Sequence, residues 1–134
     1  MLNHVETLQI FCTVFMVGLI WFVQVVHYPL FKVVGDSSNY FREHQKRTSW
    51  VVLPVMLLEL VCAAFLLYYR GIPVDQLGFV LVAVIWISTL FFQIPCHQKL
   101  LTSYSEKVVL RLVRTNWVRT LGWSIRAVIL LATY

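Results

Sequence analysis

Phe11-Cys-Thr-Val-Phe-Met-Val-Gly-Leu-Ile-Trp-Phe-Val-Gln-Val-Val26 contains no charged residue and is apolar on every face of a helix. A helix that is hydrophobic all round belongs in the core of a large protein or in lipid. With its flanks the run covers 8–31, enough to cross the ~30 Å hydrocarbon core at 1.5 Å per residue. No Lys or Arg precedes it and no small-residue cleavage site follows, so it reads as a retained span rather than a signal peptide.

The rest of the chain repeats this pattern. It is 60% hydrophobic and 13% charged, against about 25% charged in soluble domains. Further apolar stretches lie at 49–69, 77–96 and 115–134. Four spans with short connections use nearly all of the 134 residues. The expectation is therefore one all-α domain over 1–134, an integral-membrane four-helix bundle with no separate soluble domain. Gly35-Asp36-Ser37-Ser38 is turn chemistry, and either serine is suited to cap a short amphipathic helix starting at Asn39, separate from span two or running into it without a break. A second short amphipathic helix is expected over 103–114. Pro29 and Pro95 predict bends or ends of spans one and three, Pro54 a tolerable kink in span two, and Arg70-Gly71-Ile72-Pro73 a stop.

Charge sets the orientation. The net charge is +5, which in this context argues for membrane topology and against nucleic acid. Lys32, Arg42, Lys46 and Arg47 lie between spans one and two. Lys99, Lys107, Arg111, Arg114 and Arg119 lie between or just inside spans three and four. The opposite side has only Arg70, with Glu6 and Asp75. The positive-inside rule puts both long connections in the cytoplasm and both termini outside, in a bacterial inner membrane. Tyr68, Tyr69 and Tyr134 at one end, and Tyr28, Trp50 and Trp117 at the other, are read as aromatic belts. Cys12, Cys62 and Cys96 are isolated and odd in number. With no Cys-x-x-Cys pair they read as small buried hydrophobes rather than redox centres.

Two groups carry candidate chemistry. Glu59 and Arg126 fall near mid-bilayer on parallel spans and are expected to pair. They are either a buried register-fixing salt bridge or a catalytic or proton-relaying couple, since ionisable residues at that depth are functional candidates by default. His27, His44 and His97 fall in the cytoplasmic half. Imidazole is the commonest metal ligand, and helical bundles build metal and haem sites from facing side chains. These three are the candidate ligands of a haem or of an iron, copper or zinc ion. Glu59 stands about 22 Å from His44 along a continuous helix, too far for one compact site. Gln24 and Gln93 each lie about a turn from a histidine, placed to orient an imidazole or a substrate. Arg114, Asn116 and Arg119, with Trp117, Arg42, Lys46 and Arg47, form a basic rim suited to an anionic headgroup or to anionic lipid. No phosphate loop, Gly-x-Ser-x-Gly or His-Glu-x-x-His is present.

A weak internal repeat aligns Arg47-Thr-Ser-Trp-Val51 with Arg114-Thr-Asn-Trp-Val118, and the same offset pairs Glu59 with Arg126. The chain reads as two related helical hairpins. Gln24-Val-Val-His-Tyr-Pro-Leu-Phe31, Arg42-Glu-His-Gln-Lys-Arg47 and Arg114-Thr-Asn-Trp-Val-Arg-Thr120 resemble a type of small four-span bacterial inner-membrane protein, a likeness that implies no activity. In layout alone the chain is also similar to the anthrone-oxygenase-like membrane family and to the four-span haem-binding protoporphyrinogen oxidase family. Those resemblances imply redox chemistry on a hydrophobic substrate and carry over no catalytic residue.

The leading expectation is a metal- or haem-binding membrane protein, an oxidoreductase acting on a lipid-soluble small molecule at the cytoplasmic side. Its partners would be the lipid bilayer and that molecule, not nucleic acid. The alternatives are a small oligomeric proton-coupled transporter or channel using Glu59, or a non-catalytic subunit of a membrane complex.

Overall fold

The computed structural model describes residues 1–134, and four helices hold nearly all of them. They are α1 (Leu2–Val34), α2 (Ser38–Tyr69), α3 (Pro73–Thr102) and α4 (Glu106–Thr133). The links 35–37, 70–72 and 103–105 are too short to return along a helix, so successive helices run antiparallel. α1 and α3 each pack on both α2 and α4. The section is a square, with α1 opposite α3 and α2 opposite α4.

α1, α2 and α3 are long and apolar enough to cross a membrane. α4 is of similar length but carries Arg111, Arg114, Arg119 and Arg126. The helices overrun the expected spans, and the two separate amphipathic helices do not form. Residues 39–48 are the first turns of α2, and 106–114 are the first turns of α4. The reason is local. No Gly or Pro interrupts either polar segment before the apolar part begins, so the helix continues through the change of composition.

Nor do α1 and α3 stop at Pro29 and Pro95. Each widens into a π-helical turn just before its proline, at Val23–His27 and Thr89–Gln93. Proline gives no N–H and its ring crowds the carbonyl four residues back. A wider turn relieves that conflict without ending the helix. Pro54 is carried within α2 without such a turn.

The interior is filled by Met16, Ile20, Phe31, Phe41, Met56, Ile85, Leu112 and Trp123. Outside, Phe11, Val61, Phe91 and Val128 are exposed, an apolar surface unlike that of a water-facing bundle. Tyr68 and Tyr69 are exposed at the end of α2, Trp50 and Trp117 are exposed well inside α2 and α4, and Tyr28 is buried and belongs to no belt. All three cysteines are buried and free.

At the end bearing the termini, Arg70 holds Asp75 through Nε to Oδ2 at 2.8 Å and Nη2 to Oδ1 at 2.5 Å, and also contacts Glu6 and the Tyr134 hydroxyl. The hydrogen bonds it donates to Asp75 raise the Arg70 guanidinium above its ordinary pKa. Burial, with Asp75 nearby, pushes the Tyr134 phenol up to about 12.

Gly78 sets how closely α3 approaches α4. A Cβ there would lie 2.7 Å from Arg126 Nη1, whereas one at Gly18 would meet nothing within 4 Å. Gly78→Ala is expected to lower stability by about 1–3 kcal/mol, and Gly18→Ala to leave it unchanged or slightly raised. Thermal unfolding of both variants in detergent checks this, and equal midpoints would contradict the close approach.

Candidate functional site

Two polar layers occupy the bundle. The first is built on Glu59, which is 2% exposed. Its Oε1 accepts from Thr13 Oγ1 at 2.6 Å and from Arg126 Nε at 2.9 Å, and its Oε2 accepts from Trp123 Nε1 at 2.8 Å. Arg126 Nη1 donates to the Gly78 carbonyl at 2.5 Å. The pair thus crosses the α2–α4 diagonal, and α1 and α3 each contribute a partner. Both carboxylate oxygens are engaged by donors from neighbouring helices, which suits a structural role.

The second layer lies about 8–10 Å inside the end that carries the 35–37 link. The π-turn of α1 ends at His27, whose Nε2 meets His44 Nδ1 at 2.6 Å. Thr48 Oγ1, one turn along α2, also reaches His44 Nδ1, at 3.2 Å. Tyr28, turned inward, brings its hydroxyl to His97 Nε2 at 3.1 Å. The ring centroids are 4.3 Å apart for His27–His44 and 5.4 Å for His44–His97, with Phe31 packed edge-on against all three. The three histidines predicted as ligands therefore share one cluster. They do not form a metal set: no three His, Cys, Asp or Glu side chains are disposed to hold an ion. The His27 and His44 nitrogens are closer than two nitrogens bound to one metal at 2.0–2.1 Å, which stand roughly 3.3 Å apart. As arranged, His27 and His44 are hydrogen-bonded to each other and His97 to Tyr28.

The glutamines do not orient imidazoles. Gln24 Nε2 donates to the Val113 carbonyl at 3.1 Å, and its Oε1 accepts from Asn116 Nδ2 at 2.9 Å and from Thr120 Oγ1 at 3.3 Å. Gln93 Nε2 donates to Thr115 Oγ1 at 3.0 Å. Each amide instead ties its helix to α4, as an amide inside an apolar bundle must find an internal partner. The expected basic rim divides. Asn116 and Arg119 are buried, whereas Arg114, Trp117, Arg42, Lys46 and Arg47 face outward.

Beside the histidines is a cavity of about 210 Å³, lined mostly by α2 and α3. Tyr28, His44, Gln93, His97 and Arg119 are among its polar lining residues, with Gln45, Thr48, Ser49 and Thr89; Leu19, Ile20, Val52, Met56 and Trp86 are among its apolar ones. Leu53, Leu90 and Ile94 line it and are also exposed on the apolar exterior, so it opens sideways between α2 and α3. Glu59 and Arg126 do not line it. Three buried atoms without a hydrogen-bond partner, His97 Nδ1, Gln93 Oε1 and Arg119 Nε, belong to side chains that do. Buried polar atoms are nearly always paired, and three of the six unpaired ones gather on this wall; Gln9 Oε1, Ser88 Oγ and Arg126 Nη2 lie elsewhere. Composition alone did not single out this cavity. The clue in the sequence was the run of Gln, His and Tyr beside Pro29 and Pro95.

No family model, no curated protein and no solved structure matches this chain.

Removing the Glu59 carboxylate strands Arg126 in the core. Glu59→Ala is expected to cost about 3–5 kcal/mol, with part of the loss recovered in the double variant Glu59→Ala/Arg126→Leu. Chemical unfolding in detergent measures both, and a Glu59→Ala protein as stable as the native one would refute the structural assignment.

Proposed function

We propose that this chain is a four-span membrane protein that admits a lipid-soluble small molecule from the side of the bundle and holds its polar end against the Tyr28–His44–Gln93–His97–Arg119 wall. Four spans are favoured by the disposition of α4. Its Arg119 and Arg126 are 5% and 0% exposed, while Leu121, Ile125, Val128 and Leu131 face outward. A helix with its charges turned inward and an apolar outer face suits lipid despite its composition. The basic ends of the helices at 32–47 and 99–114 support the cytoplasmic placement of that end.

The observation that carries the binding reading is the set of orphaned polar atoms on a cavity whose lining is apolar in the majority. Small-molecule sites have this character, with mostly hydrophobic walls and a few convergent polar groups. Tyr28–His97 and His27–His44–Thr48 are two hydrogen-bonded chains of donor and acceptor groups beside the cavity. This suits a substrate whose oxygen atoms gain or lose protons, and it is the support for oxidoreductase chemistry here.

A metal held by His27, His44 and His97 is the second reading. It is favoured by the contact among the three rings and would require the His27 and His44 nitrogens to move apart. Iron, copper or zinc at one equivalent per chain, or a Soret band, in purified native protein would establish it; neither would leave the histidines as hydrogen-bonding groups.

For the leading reading, protein purified in mild detergent is expected to retain a non-phospholipid lipophile, detected by solvent extraction and mass spectrometry. Val52→Trp, which fills the cavity, is expected to lose at least nine-tenths of it while keeping its helical content. An extract with no such compound, or equal amounts from both proteins, would overturn the proposal.

A further inference from the structure

Arg119 differs from every other buried charge in the protein. It is 5% exposed, and its Nη1 donates to Asn116 Oδ1 at 3.3 Å, a long bond to a neutral acceptor. Its guanidinium lies over the Trp123 ring with 5.2 Å to the centroid, and Tyr28 is beside it. Its Nε is buried and has no partner. None of these neighbours carries a negative charge.

The chain itself has no anion to offer. It contains six acidic residues. Glu6 and Asp75 bind Arg70, Glu43 binds Arg47, Glu59 binds Arg126, and Glu106 binds Lys32. Only Asp36 remains, exposed in the 35–37 link. A buried, unpaired cation is strongly disfavoured in apolar surroundings. Arg119 nonetheless sits at the polar end of a cavity that opens toward the apolar exterior.

We propose that the molecule bound in this cavity is an amphiphilic carboxylate, whose head pairs with Arg119 and whose apolar body lies between α2 and α3. This rests on the binding function proposed above and names its ligand class. A guanidinium presents a planar fork that matches a carboxylate with two parallel hydrogen bonds. One cation lines the cavity, so a singly charged head leaves no excess charge, whereas a doubly charged phosphate monoester does. Gln93 and His97 are placed to hydrogen-bond the remaining lone pairs or a neighbouring hydroxyl. Toward Leu53, Leu90 and Ile94 the lining is apolar and suits a hydrocarbon body.

The test uses the full chain in lipid nanodiscs and a ten-carbon carboxylic acid bearing a diazirine at its far end. Photolysis followed by peptide mapping is expected to place the label on cavity-lining residues of α2 and α3. Decanoate should then displace the probe at a concentration at least tenfold below that required for decanol or decyl phosphate. In Arg119→Gln the advantage of decanoate over decanol should vanish while decanol still competes. This loss of preference is a readout that weakened packing alone does not produce. The comparison of the three competitors on native protein needs no variant, so it stands if Arg119→Gln fails to fold. Equal displacement by decanoate and decanol would overturn the carboxylate assignment and leave lipophile binding intact. Stronger displacement by decyl phosphate would overturn it in favour of a phosphate head. No labelling of the cavity by the acid probe, with the Val52-sensitive lipophile still found in extracts, would overturn the carboxylate alone; absence of both would remove the binding function as well.

Discussion

A carboxylate buried among apolar helices is tolerable only if its lone pairs are met by donors, and Glu59 meets this condition by drawing on the whole bundle. Thr13 comes from α1, Trp123 and Arg126 from α4, and the Gly78 carbonyl on α3 receives the far side of Arg126. Every helix therefore has its rotation and its height fixed at one level. Among core contacts that are mostly hydrocarbon, such a network favours one register. Apolar packing alone would tolerate a slip of a turn at much smaller cost.

With that level fixed, the contents of the other polar layer follow. α2 runs unbroken from Ser38 to Tyr69, so His44 is held about 22 Å from Glu59. The π-turns in α1 and α3 shift the phase of each helix just ahead of Pro29 and Pro95. His27, Tyr28 and His97 are brought together in that phase. A regular helix through the same residues would turn them by a fraction of a turn. The site is thus a consequence of two prolines retained inside helices, together with a charged layer that prevents sliding.

Buried arginines at two depths show what the fold completes and what it leaves open. Arg126 has an internal carboxylate and is removed from the cavity; Arg119 has an amide, a ring and a phenol and lines it. The same side chain on the same helix has an internal anion in one place and none in the other, and each keeps one buried N–H unpartnered. The difference lies in which acidic residue the neighbouring helices supply, and at the level of Arg119 they supply none.

Much of the architecture was legible in the order of residues. Apolar runs of span length and Arg70-Gly71-Ile72-Pro73 predict helices and a stop, because helix length and turn chemistry are local properties. The pairing of Glu59 with Arg126 was likewise legible, since two opposite charges at equal depth in apolar segments have few other partners. The histidines were legible as a group at one level. The tertiary structure alone decided the facing of each side chain. It turned Tyr28 from the surface to the core, gave Gln24 and Gln93 to α4, left Arg114 outside and enclosed Arg119. These outcomes depend on helix phase and on which helices are neighbours, and both are set by π-turns, by the approach at Gly78 and by packing between residues far apart in sequence. Composition fixes that this chain prefers an apolar surrounding; only the packed bundle determines that one of its charges is left waiting for a partner from outside.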